Sequence, residues 1–344
     1  MNLTEKVIPQ HLHPLGFIDA FTHLGADLDT LLRDTQINKE SLKSVEEKIS
    51  YHAFMNLIAS GISQCNQPGI GLLASEHFKW YYHGVTGMAI NASSTFNQAG
   101  LAFQRYSCIA QPYYMPYRCN PFYYLDNQLQ VIIPIEHFIN TDQPSDPLYR
   151  FEIEFRLGLL FKILKQFGGR EIIHKAQVEL NIQKPYMHQV YEDLSFKNIR
   201  YNCRHSRLIL PATSIDMEGN LLTKGVYKQT LEYCNEELRK VTKDAPNIEH
   251  VRTLLVENLP NYPNINSVAK RMGLTTRTLA RKLKHEGTSF TDALNDIRSE
   301  IAIYLLNSTD LSIDDISESV GFSETTNFRQ AFQKWTGQPS SAYR

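Results

Sequence analysis

The sequence predicts an α+β amino-terminal domain followed by an all-α carboxy-terminal domain with two helix-turn-helix motifs joined by a long helix. Three observations lead there: a helix-corner-helix pattern at residues 264–285, its recurrence about 48 residues later, and a helical apolar stripe between the copies. In the first copy Ile265, Val268 and Met272 recur at helical spacing, Ala269 offers the small side chain that a close crossing needs, and Gly273 with Leu274 makes the corner. Thr275 or Thr276 can cap a second helix whose Leu279 and Leu283 turn inward.

The pattern then repeats. Ile265 corresponds to Ile313, Val268 to Ile316, Met272 to Val320, Gly273 to Gly321, Leu274 to Phe322 and Thr275 to Ser323. One residue is gained in the second corner, after which Leu279 corresponds to Phe328 and Leu283 to Phe332. The second motif therefore spans 312–335. Between the motifs Phe290, Leu294, Ile297, Ile301, Tyr304 and Leu305 recur at steps of three or four, which predicts one helix from about Ser289 to Asn307. At 1.5 Å per residue it is roughly 27 Å long. Successive major-groove faces of B-DNA lie about 34 Å apart, so such a rod suits two helices on neighbouring turns of one duplex.

Charge points the same way. Arg277, Arg281, Lys282 and Lys284 face away from Leu279 and Leu283, and no acidic residue interrupts that helix before Glu286. A concentrated positive face suits phosphates and guanine edges, and Arg277 and Arg281, four apart, reach into one groove together. Lys282 and Lys284 suit phosphates or solvent. The whole chain has 35 basic and 36 acidic residues, a formal net charge of −1, which argues against a polycationic binder and leaves a focused basic helix as the relevant feature.

These residues resemble the AraC/XylS family of transcription regulators. The marks are the paired motifs, LTTRTLARKLKHEGTSF after the first corner, VGFSETTNFRQAFQKWTGQPSSAYR after the second, and the closing Tyr343 and Arg344. The resemblance covers about the last 100 residues. It implies recognition helices in adjacent major grooves of double-stranded promoter DNA, with Arg277, Ala280 and Arg281 at the bases in the first, beside Thr276, and Thr325, Thr326 and Gln330 in the second. Family members commonly carry Arg where this chain has Gln330, with Arg329 displaced by one. Ser317 stands where Ala is usual at the helix crossing.

The 344 residues suggest two domains, and 42% hydrophobic residues give each a core. We place the boundaries at 1–235, a linker at 236–247, and the DNA-binding domain at 248–344. In the amino-terminal part Leu28, Leu31 and Leu32, Val45 to Ala59, and Phe96 to Ile109 read as helices, with Pro68, Gly69, Gly71, Gly84 and Gly87 as breaks. Tyr113 to Tyr124 is rich in aromatics, and with Asp126, Asn127 and Leu129 to Ile135 it suits strands around a short turn. Phe151 to Phe167 reads as helix, Glu171 to Ile182 as strand, Tyr186 to Leu194 as a short helix, and Arg207 to Leu210 as strand. Tyr227 to Val241 is helical, and Ile248 to Leu259 buries Val251, Leu254, Leu255 and Leu259 before Pro260 and Pro263 end it.

The segments YEDLSF and RHSRLILPATSID resemble the arabinose-binding-type effector half of such regulators. That resemblance implies effector binding and dimerisation: a small-molecule effector, a homodimer, and RNA polymerase as a partner if the protein activates. Strand core is the commoner role for the aromatics of Tyr113 to Tyr124, and a pocket lining is the alternative; the same holds for Trp80 to Tyr82.

No apolar run is long enough for a membrane span and the start lacks a signal pattern, so the expectation is a cytoplasmic protein without membrane attachment. The cysteines Cys65, Cys108, Cys119, Cys203 and Cys234 fall at neither metal nor disulfide spacing and read as reduced thiols. His11, His13 and His23 lack a supporting carboxylate or cysteine at ligand spacing, so no metal or cofactor is expected. The function expected is a non-enzymatic, sequence-specific regulator responding to a small molecule. Two alternatives stand beside it: a constitutive DNA binder whose first half only dimerises, and an alkyl-transfer repair protein, which would need an activated thiolate.

Overall fold

The computed structural model describes residues 4–33, 35–110, 122–133, 146–185, 191, 196, 198–219, 224–242, 246–256 and 258–344. They fall into two compact units, Met1–Glu237 and Leu238–Arg344.

In the first unit β1 (Lys6–Pro9) pairs antiparallel with β2 (Lys48–Ser50) around α1 (His13–His23) and α2 (Leu28–Leu32). The helix expected from Val45 begins only at α3 (Tyr51–Cys65). Residues 48–50 are spent on the strand pair, and the Ser50 hydroxyl caps the helix by accepting the Ala53 N–H at 3.2 Å. α4 (Ile70–His77), a 3₁₀ turn at Trp80–His83, α5 (Gly84–Ala92) and α6 (Phe96–Ala110) follow.

β3 (Phe122–Leu125) and β4 (Gln128–Ile132) form a hairpin whose turn residues Asp126 and Asn127 both have positive φ. That is the reason for Asx residues at a two-residue turn. α7 (Pro147–Phe167) and α8 (Gly169–Lys175) precede β5 (Gln177–Glu179), β6 (Asn198–Arg200) and β7 (Arg207–Pro211). The sheet order is β3-β4-β7-β5-β6, antiparallel except between β5 and β6. The strand expected over Glu171 to Ile182 is corrected. Its first half is α8, which buries Ile172 and Ile173, and only 177–179 is extended. A short apolar run does not separate the two conformations.

Rings of Phe17, Phe21, Phe54, Phe78, Phe151 and Phe155 pack against one another where α1, α3 and α7 meet. α4 lies close on α7 because Gly71 presents no side chain; a Cβ there would sit 2.4 Å from the Phe151 carbonyl oxygen. The buried Glu154 carboxylate accepts the Gly71 N–H at 3.0 Å and the Tyr191 hydroxyl. Burial, the largest influence, pushes the Glu154 carboxyl up.

α9 (Lys224–Thr242) continues through the first half of the stretch expected as a linker, and 243–245 lie outside the described residues. The second unit then has α10 (Asn247–Val256), α11 (Ile265–Arg271), α12 (Thr276–His285), α13 (Phe290–Ser308), α14 (Ile313–Ser319) and α15 (Thr325–Thr336). α10 and α15 both pack on α13, and α12 packs on α10 and α11.

Candidate nucleic-acid interface

The two helix pairs share their construction down to single hydrogen bonds. Asn264 caps α11 by accepting the Ser267 N–H at 3.0 Å, and Ser312, 48 residues on, caps α14 by accepting the Asp315 N–H at 3.0 Å. The first corner closes with Leu274 N–H donating to Ala269 O at 2.9 Å, the second with Phe322 N–H donating to Ser317 O at 3.0 Å. Gly273 and Gly321 have φ of 67° and 78°, a left-handed conformation that glycine adopts without strain. A Cβ on Gly321 would also meet the Pro260 carbonyl at 2.7 Å, whereas nothing lies within 4 Å of one on Gly273.

Each second helix buries the expected side chains. Leu279 and Leu283 of α12 and Phe328 and Phe332 of α15 are inaccessible to solvent, and in the second motif Phe322 packs on Phe328 and Trp335 on Phe322. Trading leucine pairs for phenylalanine pairs at matched positions keeps one architecture with a larger second core.

The opposite faces are open. Arg277, Ala280, Arg281, Lys282 and Lys284 are exposed along α12, and Thr326, Arg329 and Gln330 along α15. Thr275 supplies the α12 cap, accepting the Thr278 N–H at 3.2 Å. Thr276 is half-buried and donates to Asn266 Oδ1 at 2.7 Å, which ties α12 to α11. Thr325 is half-buried at the first turn of α15. α11 ends on Lys270 and Arg271 while α14 carries Asp314, Asp315 and Glu318, so positive charge concentrates on the first motif.

Two contacts that the sequence does not announce hold these helices. Glu286, just past α12, accepts Asn247 N–H and Ile248 N–H, each at 2.9 Å, and so caps α10. Burial pushes its carboxyl up, but hydrogen bonds from Asn247 and Ile248, with Lys282 nearby, outweigh this and set it below the ordinary range. Arg298 of α13 lies 5.0 Å from the Tyr262 ring centre and 4.7 Å from that of Phe322. An acid at a helix end and an arginine between two aromatics were the available signals, 39 and 24 residues from their partners.

In the first unit Trp80 and Phe122 line a cavity, while Tyr124 and Tyr81 are exposed and Tyr113, Tyr114 and Tyr117 lie outside the described residues. His13 pairs with His83 in the core and His23 stacks on His77; no group of three potential metal ligands occurs among the described residues. Cys65, Cys203 and Cys234 are free thiols that burial pushes up, opposite to what alkyl transfer needs.

Comparison with known proteins adds to this geometry. Residues 25–218 match the arabinose-binding domain of AraC transcription regulators, and residues 268–344 match a helix-turn-helix domain. The chain is similar to the ornithine utilization regulator of Pseudomonas aeruginosa, 23% identical and covering 100% of this chain and 98% of that one. It is 37% identical over 157 residues to the transcriptional regulator VqsM of the same organism, covering 45% and 48% of the two chains. The crystal structure of the transcriptional regulator CdpR, also from Pseudomonas aeruginosa, aligns at 20% identity over 94% of this chain and 98% of that one, with a TM-score of 0.40.

Proposed function

Because the chain belongs to the AraC family of transcription regulators, we propose that α12 and α15 are its two base-reading helices, set on neighbouring turns of promoter DNA. The protein is a DNA-binding transcription regulator with an amino-terminal effector-binding domain. The observation that carries the base-reading assignment is the open, acid-free face of α12, with Arg277 and Arg281 four residues apart. Each guanidinium supplies a planar fork that matches guanine O6 and N7, worth about 1–3 kcal/mol of discrimination.

Lys282 and Lys284 take phosphates. Thr326 and Gln330, with Thr325 and Arg329 beside them, read the second groove through hydrogen bonds and thymine methyl contacts. Thr276, engaged with Asn266, positions α12 rather than reading a base. The regulator works as a homodimer, with RNA polymerase as a further partner at activated promoters. It acts in the cytoplasm, and no helix among the described residues is long and apolar enough to cross a membrane. Effector binding shifts the population of promoter-competent arrangements and so changes occupancy.

The test is Arg281→Ala on duplexes selected by the wild-type protein from a random pool. Loss of at least tenfold on selected DNA with little change on unselected DNA is the expected result. Equal losses on both would rule out base reading by Arg281.

A further inference from the structure

Within the first unit a cavity of about 110 Å³ lies among α1, α3, α6, α7 and the β3–β4 hairpin. Its wall is mostly ring and hydrocarbon, including Phe54, Phe96, Phe103, Phe122, Leu159 and Ile163. One water needs about 10–15 Å³ of such space, so the cavity has room for an organic molecule of roughly ten non-hydrogen atoms. A wall of this kind gives waters too few partners to hold them, and apolar cavities of comparable size stay dry and admit aromatic hydrocarbons.

The wall has a small polar part made of His13, His83, Glu152 and Arg156. Glu152 and Arg156 are bonded to each other. His83 is 4% exposed and shares a proton between its Nδ1 and Nε2 of His13 at 2.9 Å. Its own Nε2 is buried and meets no hydrogen-bond partner among the described residues. A buried polar atom without a partner is costly in a folded protein; His83 belongs to the cavity wall, so a turn of its ring would bring this atom, closed to solvent as it stands, to a ligand.

Charge narrows the ligand class. Burial, reinforced for His83 by Arg156 and Lys162 and for His13 by His83 and Arg156, keeps both rings neutral near pH 7. Arg156 and Glu152 are already paired with each other, which leaves neither as an open counter-charge for a carboxylate or an ammonium group. Depending on which ring holds the shared proton, Nε2 of His83 is an N–H donor or a bare acceptor, and a hydroxyl group satisfies either.

We propose that this cavity is the effector site, and that the effector is an uncharged, largely apolar molecule of roughly ten non-hydrogen atoms whose single hydroxyl pairs with His83 Nε2. The assignment rests on the effector-domain reading given above. Phenols and compact alcohols have this chemistry; sugars, amino acids and carboxylates do not.

The chain has two tryptophans, Trp80 on the cavity wall and Trp335 in the second unit, which gives a direct readout. The full chain labelled with 5-fluorotryptophan is titrated with 4-ethylphenol, ethylbenzene and benzoate while both fluorine resonances are followed. The expected result is a saturable shift of the Trp80 signal with 4-ethylphenol and ethylbenzene, an unmoved Trp335 signal, and weaker binding of benzoate. His83→Phe is expected to weaken 4-ethylphenol about tenfold while leaving ethylbenzene within about twofold. Ile163→Phe, which puts a larger side chain on the apolar part of the wall, is expected to weaken both at least tenfold. No saturable Trp80 response, tighter binding of benzoate, or unchanged 4-ethylphenol affinity in either variant would overturn the proposal. Binding of the same samples to selected duplexes separates the two readings: intact sequence-specific binding without any Trp80 response overturns the cavity assignment alone.

Discussion

Arg298, midway along α13, donates from Nη2 to the carbonyl oxygen of Gly321 at 3.2 Å. The long helix thereby grips the corner of the second motif, with the guanidinium lying over the rings of Phe322 and Tyr262. Tyr262 belongs to the segment leading into the first motif, so one side chain touches the surroundings of both. A rigid spacer needs this kind of fixture, because α15 can enter a groove only if its angle to α13 is set.

Truncating that side chain removes a charged hydrogen bond and two cation–π contacts. Arg298→Ala is expected to destabilise the second unit by about 2 kcal/mol. Urea unfolding followed by the Trp335 resonance of the 5-fluorotryptophan-labelled chain measures it. An unchanged midpoint would mean that Arg298 holds nothing.

Glu286 has the analogous task in the first motif, joining the end of α12 to the start of α10 through the Asn247 and Ile248 N–H groups. Glu286→Ala leaves those donors without the side-chain acceptor, and losses of this type cost about 1–2 kcal/mol. Because its folded carboxyl titrates below its ordinary value of 4.5, the contribution is present above pH 4.5 and lost as pH falls through the folded value. The difference in unfolding midpoint between wild type and Glu286→Ala should therefore shrink between pH 6 and pH 3. A difference constant across that range would contradict the assignment.

The histidine pair of the first unit has its own pH signature. His83 is held down to about 3 and His13 well below 6.5, by burial first. Unfolding returns both to about 6.5, so below that pH the unfolded chain binds more protons and the first unit loses stability as pH falls, by up to about 1.4 kcal/mol per pH unit for each ring. Glu154, pushed up by burial, works in the opposite sense. The comparison is therefore with His83→Phe. Between pH 7 and pH 5, urea midpoints read by the Trp80 fluorine resonance should fall more steeply for wild type than for the variant; parallel slopes would show that His83 does not titrate this way.

How much of this was legible in the sequence follows from the range of the interactions. The duplicated motifs were, because helical period, a glycine corner and an Asn or Ser cap are local features; Asn264 and Ser312 fall 48 residues apart and cap as their types require. The turn at Asp126 and Asn127 was legible for the same reason. The exposed face of α12 followed from Leu279 and Leu283 turning inward. By contrast, the His13–His83 contact joins residues 70 apart, and no local pattern announces it. Glu171 to Ile182 misled because Ile172 and Ile173 satisfy helix and strand equally, and packing behind α7 decided for helix.

The central claim, two base-reading helices on neighbouring turns, is tested most directly by missing-base interference on a selected operator with wild type, Arg281→Ala and Gln330→Ala. Each chain is expected to need two base segments about 10 bp apart, one helical turn. Arg281→Ala should abolish the requirement at one segment only, and Gln330→Ala at the other only. A single segment, or both substitutions erasing the same one, would contradict it.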